Sequence, residues 1–418
     1  MNGRRKTARS GGVARDACLR LMVLFSVGLV ACHAESRVRV GADVLIEERL
    51  ALVKGKRVGL ITNQTGRLAS GKFLVDTLLE KGVAVVALFG PEHGIRGDAE
   101  AGRHVADTVD MRTGIPLYSL YGKVKKPTSA MLKGVDVLVY DIQDVGARFY
   151  TYISTMTLAM EAAAEMGLPF IVLDRPNPLG GVRVEGPVLE DSLKSFVGML
   201  PIPIVYGLTC GELASMINVE GWLANGVQAN LIVVEMIGWR RSMSWEETGL
   251  SWIPPSPNIP AASTATVYPA TCFIEATNVS EGRGTARPFH LVGAPFVDAE
   301  RFAVSLNSLA LPGVLFSPAS FTPTSSKFEG KMCYGVSVKV VDPSVFSPVN
   351  TGLHLFQQLY IQYPDRITIN ASIFARLAGV NGLLPQLVSR LNIEKIITDY
   401  SDSLETFRKR ASRYKFYD

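Results

Sequence analysis

Cysteine and histidine are scarce in this chain, with five of each among 418 residues. Cys18, Cys32, Cys210, Cys272 and Cys333 form no CxxC pair, which excludes a zinc ribbon and implies no disulfide framework. HExxH is absent, and His33 and His354 have no partners near them in the chain. His93, His104, Asp98, Asp107 and Asp141-x-x-Asp144 are the residues nearest to a ligand set, but they share no fixed period, so no metal site is expected. No strand-like run leads into G-x-G-x-x-G or G-x-x-x-x-G-K-[ST], so the phosphate cradles of dinucleotides and nucleotides are missing, and no cofactor is expected. G-x-S-x-G is missing as well, which argues against a serine nucleophile. The apolar run in 21–31 is too short to span a bilayer as a permanent helix.

That run nonetheless marks the N-terminus. Arg4, Arg5, Lys6, Arg9, Arg15 and Arg20 precede it against a single acid, Asp16. A basic stretch, a short apolar stretch and then Leu29-Val30-Ala31-Cys32 resemble a bacterial lipoprotein signal, with Cys32 as the lipidated first residue. Residues 1–31 are therefore expected to be removed and 32–41 to act as a linker to a membrane anchor. The expected location is the cell envelope, on the exported (periplasmic) side of a bacterial membrane. The excess of 43 basic over 38 acidic residues resides in this leader, which holds six of the former and one of the latter. The remainder is formally neutral, and nothing in it asks for nucleic acid.

Downstream, apolar runs alternate with helical spacing. Strands are expected at 57–62, 83–88, 116–120, 135–140, 169–173 and 231–235. Helices are expected at 42–52, 73–81, 128–133, 151–166 and 211–222, the last with Thr209 as its cap. The strands are near-continuously apolar, which predicts an α/β fold: a Rossmann-like, mostly parallel sheet with helices on both faces. This domain would run over 42–262 and end at the proline-rich stretch Pro254 to Pro260. A smaller C-terminal α/β domain would occupy 263–418, with helices near 302–309, 351–361, 373–378, 385–391 and 401–414 and a strand at 334–341.

Right-handed crossovers gather the C-terminal ends of parallel strands along one edge, where such folds bind ligands. Four of the expected strands end in polar clusters: Asn63-Gln64-Thr65-Gly66, Pro91-Glu92-His93-Gly94, Asp141-Ile142-Gln143-Asp144 and Asp174-Arg175-Pro176-Asn177. Their residue types suit carboxylate chemistry. Glycoside hydrolysis needs an acid at the leaving oxygen and a second group that stabilises or attacks the oxocarbenium-like centre. Glu92, flanked by Pro91 and His93, is the candidate acid. Asp141, Asp144, Glu185 and Glu275 are candidate partners, each with an ordinary structural alternative; Asp144, for one, could pair with Arg148. Tyr118, Tyr121, Tyr150, Trp252 and Tyr268 offer faces for sugar stacking.

These same stretches resemble the exo-β-N-acetylmuramidase family of the NamZ/YbbC type. The similar segments are Gly59-Leu60-Ile61-Thr62-Asn63-Gln64-Thr65-Gly66, Phe89-Gly90-Pro91-Glu92-His93-Gly94, the run from Asp141 to Tyr152, and Leu173-Asp174-Arg175-Pro176-Asn177-Pro178. Glu185-Gly186-Pro187, the run from Pro255 to Pro260, Glu275-Ala276-Thr277-Asn278 and Gly282-Arg283-Gly284-Thr285 continue the resemblance. It implies a cleft between two domains and release of N-acetylmuramic acid from non-reducing ends of peptidoglycan fragments such as MurNAc-GlcNAc. It implies Glu92 as the catalytic carboxylate, with His93 beside it. The substrate's own acetamido group could serve as nucleophile, with Asp141, Asp144 or Glu185 orienting it. Candidate substrate contacts are Asn63, Arg148, Tyr150, Asn177, Asn258, Glu275, Asn278 and Arg283, an arginine fork suiting the lactyl carboxylate. A non-catalytic muropeptide-binding lipoprotein is the alternative expectation.

Overall fold

The computed structural model describes residues 1–4, 37–92, 95 and 108–418. The sites expected at Cys32 and His93 lie outside the described residues. From residue 38 onward the chain builds one large sheet and one small one. The large sheet contains β1 (Arg57–Thr62), β2 (Ala84–Gly90), β3 (Thr108–Val109), β4 (Pro116–Ser119), β5 (Val137–Asp141), β6 (Pro169–Leu173) and β7 (Asn230–Val234), in the order β3-β4-β2-β1-β5-β6-β7. All neighbours pair in parallel except the short edge strand β3, which runs antiparallel to β4. Without β3 the order is that of the doubly wound dinucleotide-binding sheets, and the strand order reverses between β1 and β5.

Side-chain alternation shows why both faces need cover. Val58 and Leu60 of β1, Val137 and Val139 of β5, and Ile171 and Leu173 of β6 point to one face, where helices α1 (Gly41–Glu47) and α2 (Leu74–Glu80) pack. Ile61, Leu138, Tyr140, Phe170 and Val172 point to the other, beneath α3 (Tyr152–Glu165) and α4 (Cys210–Val219). A period of two with apolar residues at both phases makes a strand buried on both sides. Thr209 caps α4 through a reciprocal exchange with Glu212, which satisfies two of the orphan donors at the helix start.

Two expectations for this region change. The segment 128–133 forms only turns, because Pro127 and Gly134 leave no room to extend past a costly first helical turn. Helix 42–52 stops at Glu47 and resumes as a single 3₁₀ turn, Leu50–Leu52.

The small sheet is antiparallel, in the order β8 (Leu291–Ala294), β10 (Cys333–Val340), β9 (Val314–Phe321). Its strand β9 carries Pro318, which an edge strand tolerates because an outward N–H is dispensable. Helix α5 (Ala262–Thr271) was not expected. It is rich in β-branched residues, contains Pro269 and is almost wholly buried, so it shows no polar face to read. The last helix, Ser401–Ala411, turns back onto the first core, where Leu404, Phe407, Ala411 and Tyr414 bury among α3 and α4 residues. Cys210, Cys272 and Cys333 are buried free thiols.

Candidate active site

Glu92 emerges two residues beyond the end of β2, half-buried, beside the start of α3. Thr151, which precedes that helix, donates its hydroxyl to Glu92 Oε2 at 3.3 Å. The Tyr121 hydroxyl, from the segment after β4, also bonds to Glu92; burial first, then this carboxylate, push the phenol up to about 12. Neither hydroxyl was singled out from the sequence as a partner of Glu92. Tyr121 was read only as a stacking aromatic, because strand adjacency of β4 and β2 is what brings it there.

The adjoining strand ends form a bonded set. Asn63 Oδ1 accepts from the Thr65 N–H at 2.9 Å and from its hydroxyl, and Thr65 Oγ1 accepts from Gln143 N–H at 2.9 Å. Gln143 Nε2 donates to Pro176 O at 2.7 Å, joining the ends of β5 and β6. Gln64 Nε2 donates to Pro254 O and Pro255 O, and the Tyr152 hydroxyl donates to Pro255 O. The proline-rich stretch thus lies pinned across the sheet edge. Gly146 takes a φ of +78°, and a Cβ there would collide with the Asn177 amide, so this backbone path admits only glycine.

Tyr150 and Tyr152 meet edge to face at 4.8 Å, and Tyr150 meets Tyr268 of α5 at 6.0 Å. Burial raises the phenol pKa of all three, keeping them protonated. Behind Tyr268 stand Arg283 and Glu275, paired at 2.7 Å; Glu281 approaches Arg283 at 3.2 Å. Three buried polar atoms at this sheet edge, Gln64 Oε1, Asp141 Oδ2 and Asp144 Oδ1, have no hydrogen-bond partner among the described residues, whereas the Tyr152 hydroxyl is bonded to both Tyr150 and Asn63. Buried polar groups are seldom left so, and their concentration marks a place prepared for a polar ligand or for water.

Several expected site residues serve the fold instead. Asp141 is fully buried and holds Arg175 Nε at 2.6 Å as an ion pair. Arg148 is also fully buried. Its guanidinium donates to Pro187 O at 2.8 Å, Ile202 O at 2.9 Å and Leu377 O at 3.0 Å, so it cannot reach a lactyl carboxylate. Nor does it meet Asp144, which accepts from the Tyr206 hydroxyl and from Gly146 N–H and is raised by burial to about 6. The Asn177 amide is consumed by Leu208 O and Leu179 N–H, and that of Asn278 by Arg366 O and Thr368 N–H. Glu185 faces a different cleft, of about 1120 Å³, and is bound by Ser347 and by Val349 N–H. Asn258 remains half-buried in the proline-rich stretch, its N–H on Ser256 Oγ.

Glu92, Asn63, Tyr150, Asp144, Glu275 and Arg283 remain as the assembled candidates. No group of three or more His, Cys, Asp or Glu side chains among the described residues is arranged to hold a metal ion.

Known proteins match this chain along most of its length. Residues 58–263 match the family model described as exo-β-N-acetylmuramidase NamZ, N-terminal, and residues 266–417 match its C-terminal counterpart. The peptidoglycan β-N-acetylmuramidase NamZ of Bacillus subtilis (strain 168) is 49% identical over 383 residues, covering 91% of this chain and 92% of the relative. Two crystal structures of DUF1343 family proteins from Bacteroides fragilis NCTC 9343 share the fold. BF0371 superposes with a TM-score of 0.86 at 43% identity, covering 91% of this chain and 99% of its own. BF0379 does so with a TM-score of 0.76 at 33% identity, covering 92% and 99%.

Proposed function

The chain belongs to the exo-β-N-acetylmuramidase NamZ family, and from that premise we propose how its own residues carry the reaction. It is a glycoside hydrolase that releases N-acetylmuramic acid from the non-reducing end of peptidoglycan fragments. The observation that carries the residue assignment is the placing of Glu92 just past the end of β2, between the buried Tyr152 and the half-buried Tyr121.

Glu92 gives its proton to the glycosidic oxygen as the C1–O bond breaks. The muramic acid acetamido oxygen closes on C1 and takes up the developing positive charge. Water then opens that ring, returning its proton to Glu92. Asp144, with one carboxylate oxygen unpartnered among the described residues, and the half-buried Tyr150 beside it are the groups suited to hold the acetamido N–H and carbonyl in line. Arg283 suits the lactyl carboxylate, which would displace Glu275 from one side of its fork. MurNAc-GlcNAc is the proposed minimal natural substrate.

The N-terminal pattern supports export and anchoring through Cys32, which we propose together with an envelope location facing the wall. Among the described residues no helix is long and apolar enough to cross a membrane.

The test uses residues 33–418 with a chromogenic β-N-acetylmuramide beside the matching β-N-acetylglucosaminide. Release from the muramide alone is expected. Release from neither, with no binding of MurNAc-GlcNAc in a calorimetric titration, would overturn the assignment.

A further inference from the structure

A glycosidic oxygen lies between two sugars, so the group that protonates it must lie between two binding surfaces. The inner side is that of Tyr152, which Glu92 faces, and of the half-buried Tyr150 packed on it. On its outer side Glu92 bonds to Tyr121, and the Tyr121 ring meets Phe196 at 6.3 Å, tilted by 52°. Phe196 is half-buried, and the exposed Lys125 rests its ammonium 4.6 Å from the ring centre.

Phe196 is displayed by a tight turn, in which Ser195 and Gly198 exchange both backbone hydrogen bonds at 2.9 and 3.0 Å. The base of the loop that carries this turn is closed from inside. Arg148 Nη1 donates to Pro187 O at one end and to Ile202 O at the other, and Leu189 N–H meets Ile202 O at 3.2 Å. Phe196 is a half-exposed aromatic on a fixed turn, one ring away from the acid, and among the described residues it belongs to none of the hydrophobic clusters around the sheets. An aromatic face offers a sugar ring a flat apolar surface at little conformational cost.

We propose that Phe196, with Tyr121 beneath it and Lys125 at its rim, forms the subsite for the leaving group and takes the pyranose face of the N-acetylglucosamine that departs. The proposal rests on Glu92 being the acid, and it deepens that reading by adding the surface which selects a sugar over a smaller aglycone. Lys125, a solvated cation on a flexible stem, moves aside or turns its ammonium to the sugar hydroxyls.

The experiment compares MurNAc-β-1,4-GlcNAc with methyl β-N-acetylmuramide, whose leaving group is too small to stack. The readout is the ratio of kcat/KM for the disaccharide to that for the methyl glycoside. Phe196→Ala is expected to lower this ratio about tenfold, mainly through KM for the disaccharide, and Phe196→Trp to restore it. An unchanged ratio in Phe196→Ala, with both substrates affected alike, overturns the proposal whether or not the variant is less stable. If Glu92→Gln keeps most of its turnover of both substrates, the assignment of the acid has failed instead, and the two failures are thereby separated.

Discussion

The hydroxyl of Tyr417, the penultimate residue, donates to Asp174 Oδ2 at 2.7 Å at the end of β6. Asp174 is fully buried and is raised by that burial to about 6, against the pull of Tyr417, Thr209 and the Gly211 N–H; Glu212 and Cys210 also face it. Because the folded value lies above the unfolded one of about 3.9, protonation favours the fold. This group's stabilising contribution is complete below about pH 4 and is lost as pH rises through about 6. Tyr417→Phe removes a hydrogen bond that matters most to the ionised carboxylate, worth roughly 1.5–3 kcal/mol. Thermal melts should show a larger deficit at pH 7.5 than at pH 5. Equal deficits at the two pH values would contradict this account of Asp174.

Replacing the acid separates chemistry from binding. Glu92→Gln keeps an amide oxygen for Thr151 and a similar shape, but it has no proton to give. Turnover of MurNAc-GlcNAc should fall by at least about a hundredfold, the usual contribution of a general acid. Calorimetric Kd for the same disaccharide should stay within a few-fold. A variant retaining most of its turnover would remove Glu92 from the mechanism.

Arg283 is expected to read the group that distinguishes muramic acid from glucosamine. A charge-assisted contact of about 1.5–3 kcal/mol corresponds to roughly ten- to a hundredfold in kcat/KM. Arg283→Ala should therefore lose that much on the muramide and far less on the glucosaminide, narrowing the preference between them. Equal losses on both would make Arg283 a partner of Glu275 and Glu281 and nothing more.

Arg148→Lys tests the inner clamp. A lysine ammonium cannot present the planar fork that spans Pro187 O, Ile202 O and Leu377 O. Leaving buried carbonyls unpaired costs about 1–3 kcal/mol each, so the melting temperature should drop by several degrees. The disaccharide-to-methyl ratio should fall in the same direction as in Phe196→Ala. A large melting shift with no change in the ratio would confine Arg148 to stability.

The sheet was legible because its strands are short apolar runs ended by polar clusters. Residues 57–62 and 169–173 coincide with β1 and β6, and Thr209 marks the start of α4. The common edge followed from chain handedness alone. What Arg148 does was not legible. The polar, glycine-containing run around it fits a ligand contact as well as a brace, and the choice is made by carbonyls at 187, 202 and 377, remote in sequence. The bond from Tyr121 to Glu92 is illegible for the same reason, since it depends on β4 lying next to β2. Glu185 looked like a third carboxylate near the edge, until the backbone between Asn177 and Val205 carried it to Ser347.

The return of the last helix to the first core also bears on how the molecule comes into being. Tyr414, Phe416 N–H and Tyr417 supply contacts to Glu220, Glu212 and Asp174, and Asp418 O accepts from Arg241 N–H. Asp174 and Glu212, buried carboxylates made near the middle of the chain, therefore wait for these partners until residues 414–418 have been synthesised. A fragment that stops before residue 414 leaves Asp174 and Glu212 buried without these partners, and a nascent chain of that length carries the cost of it.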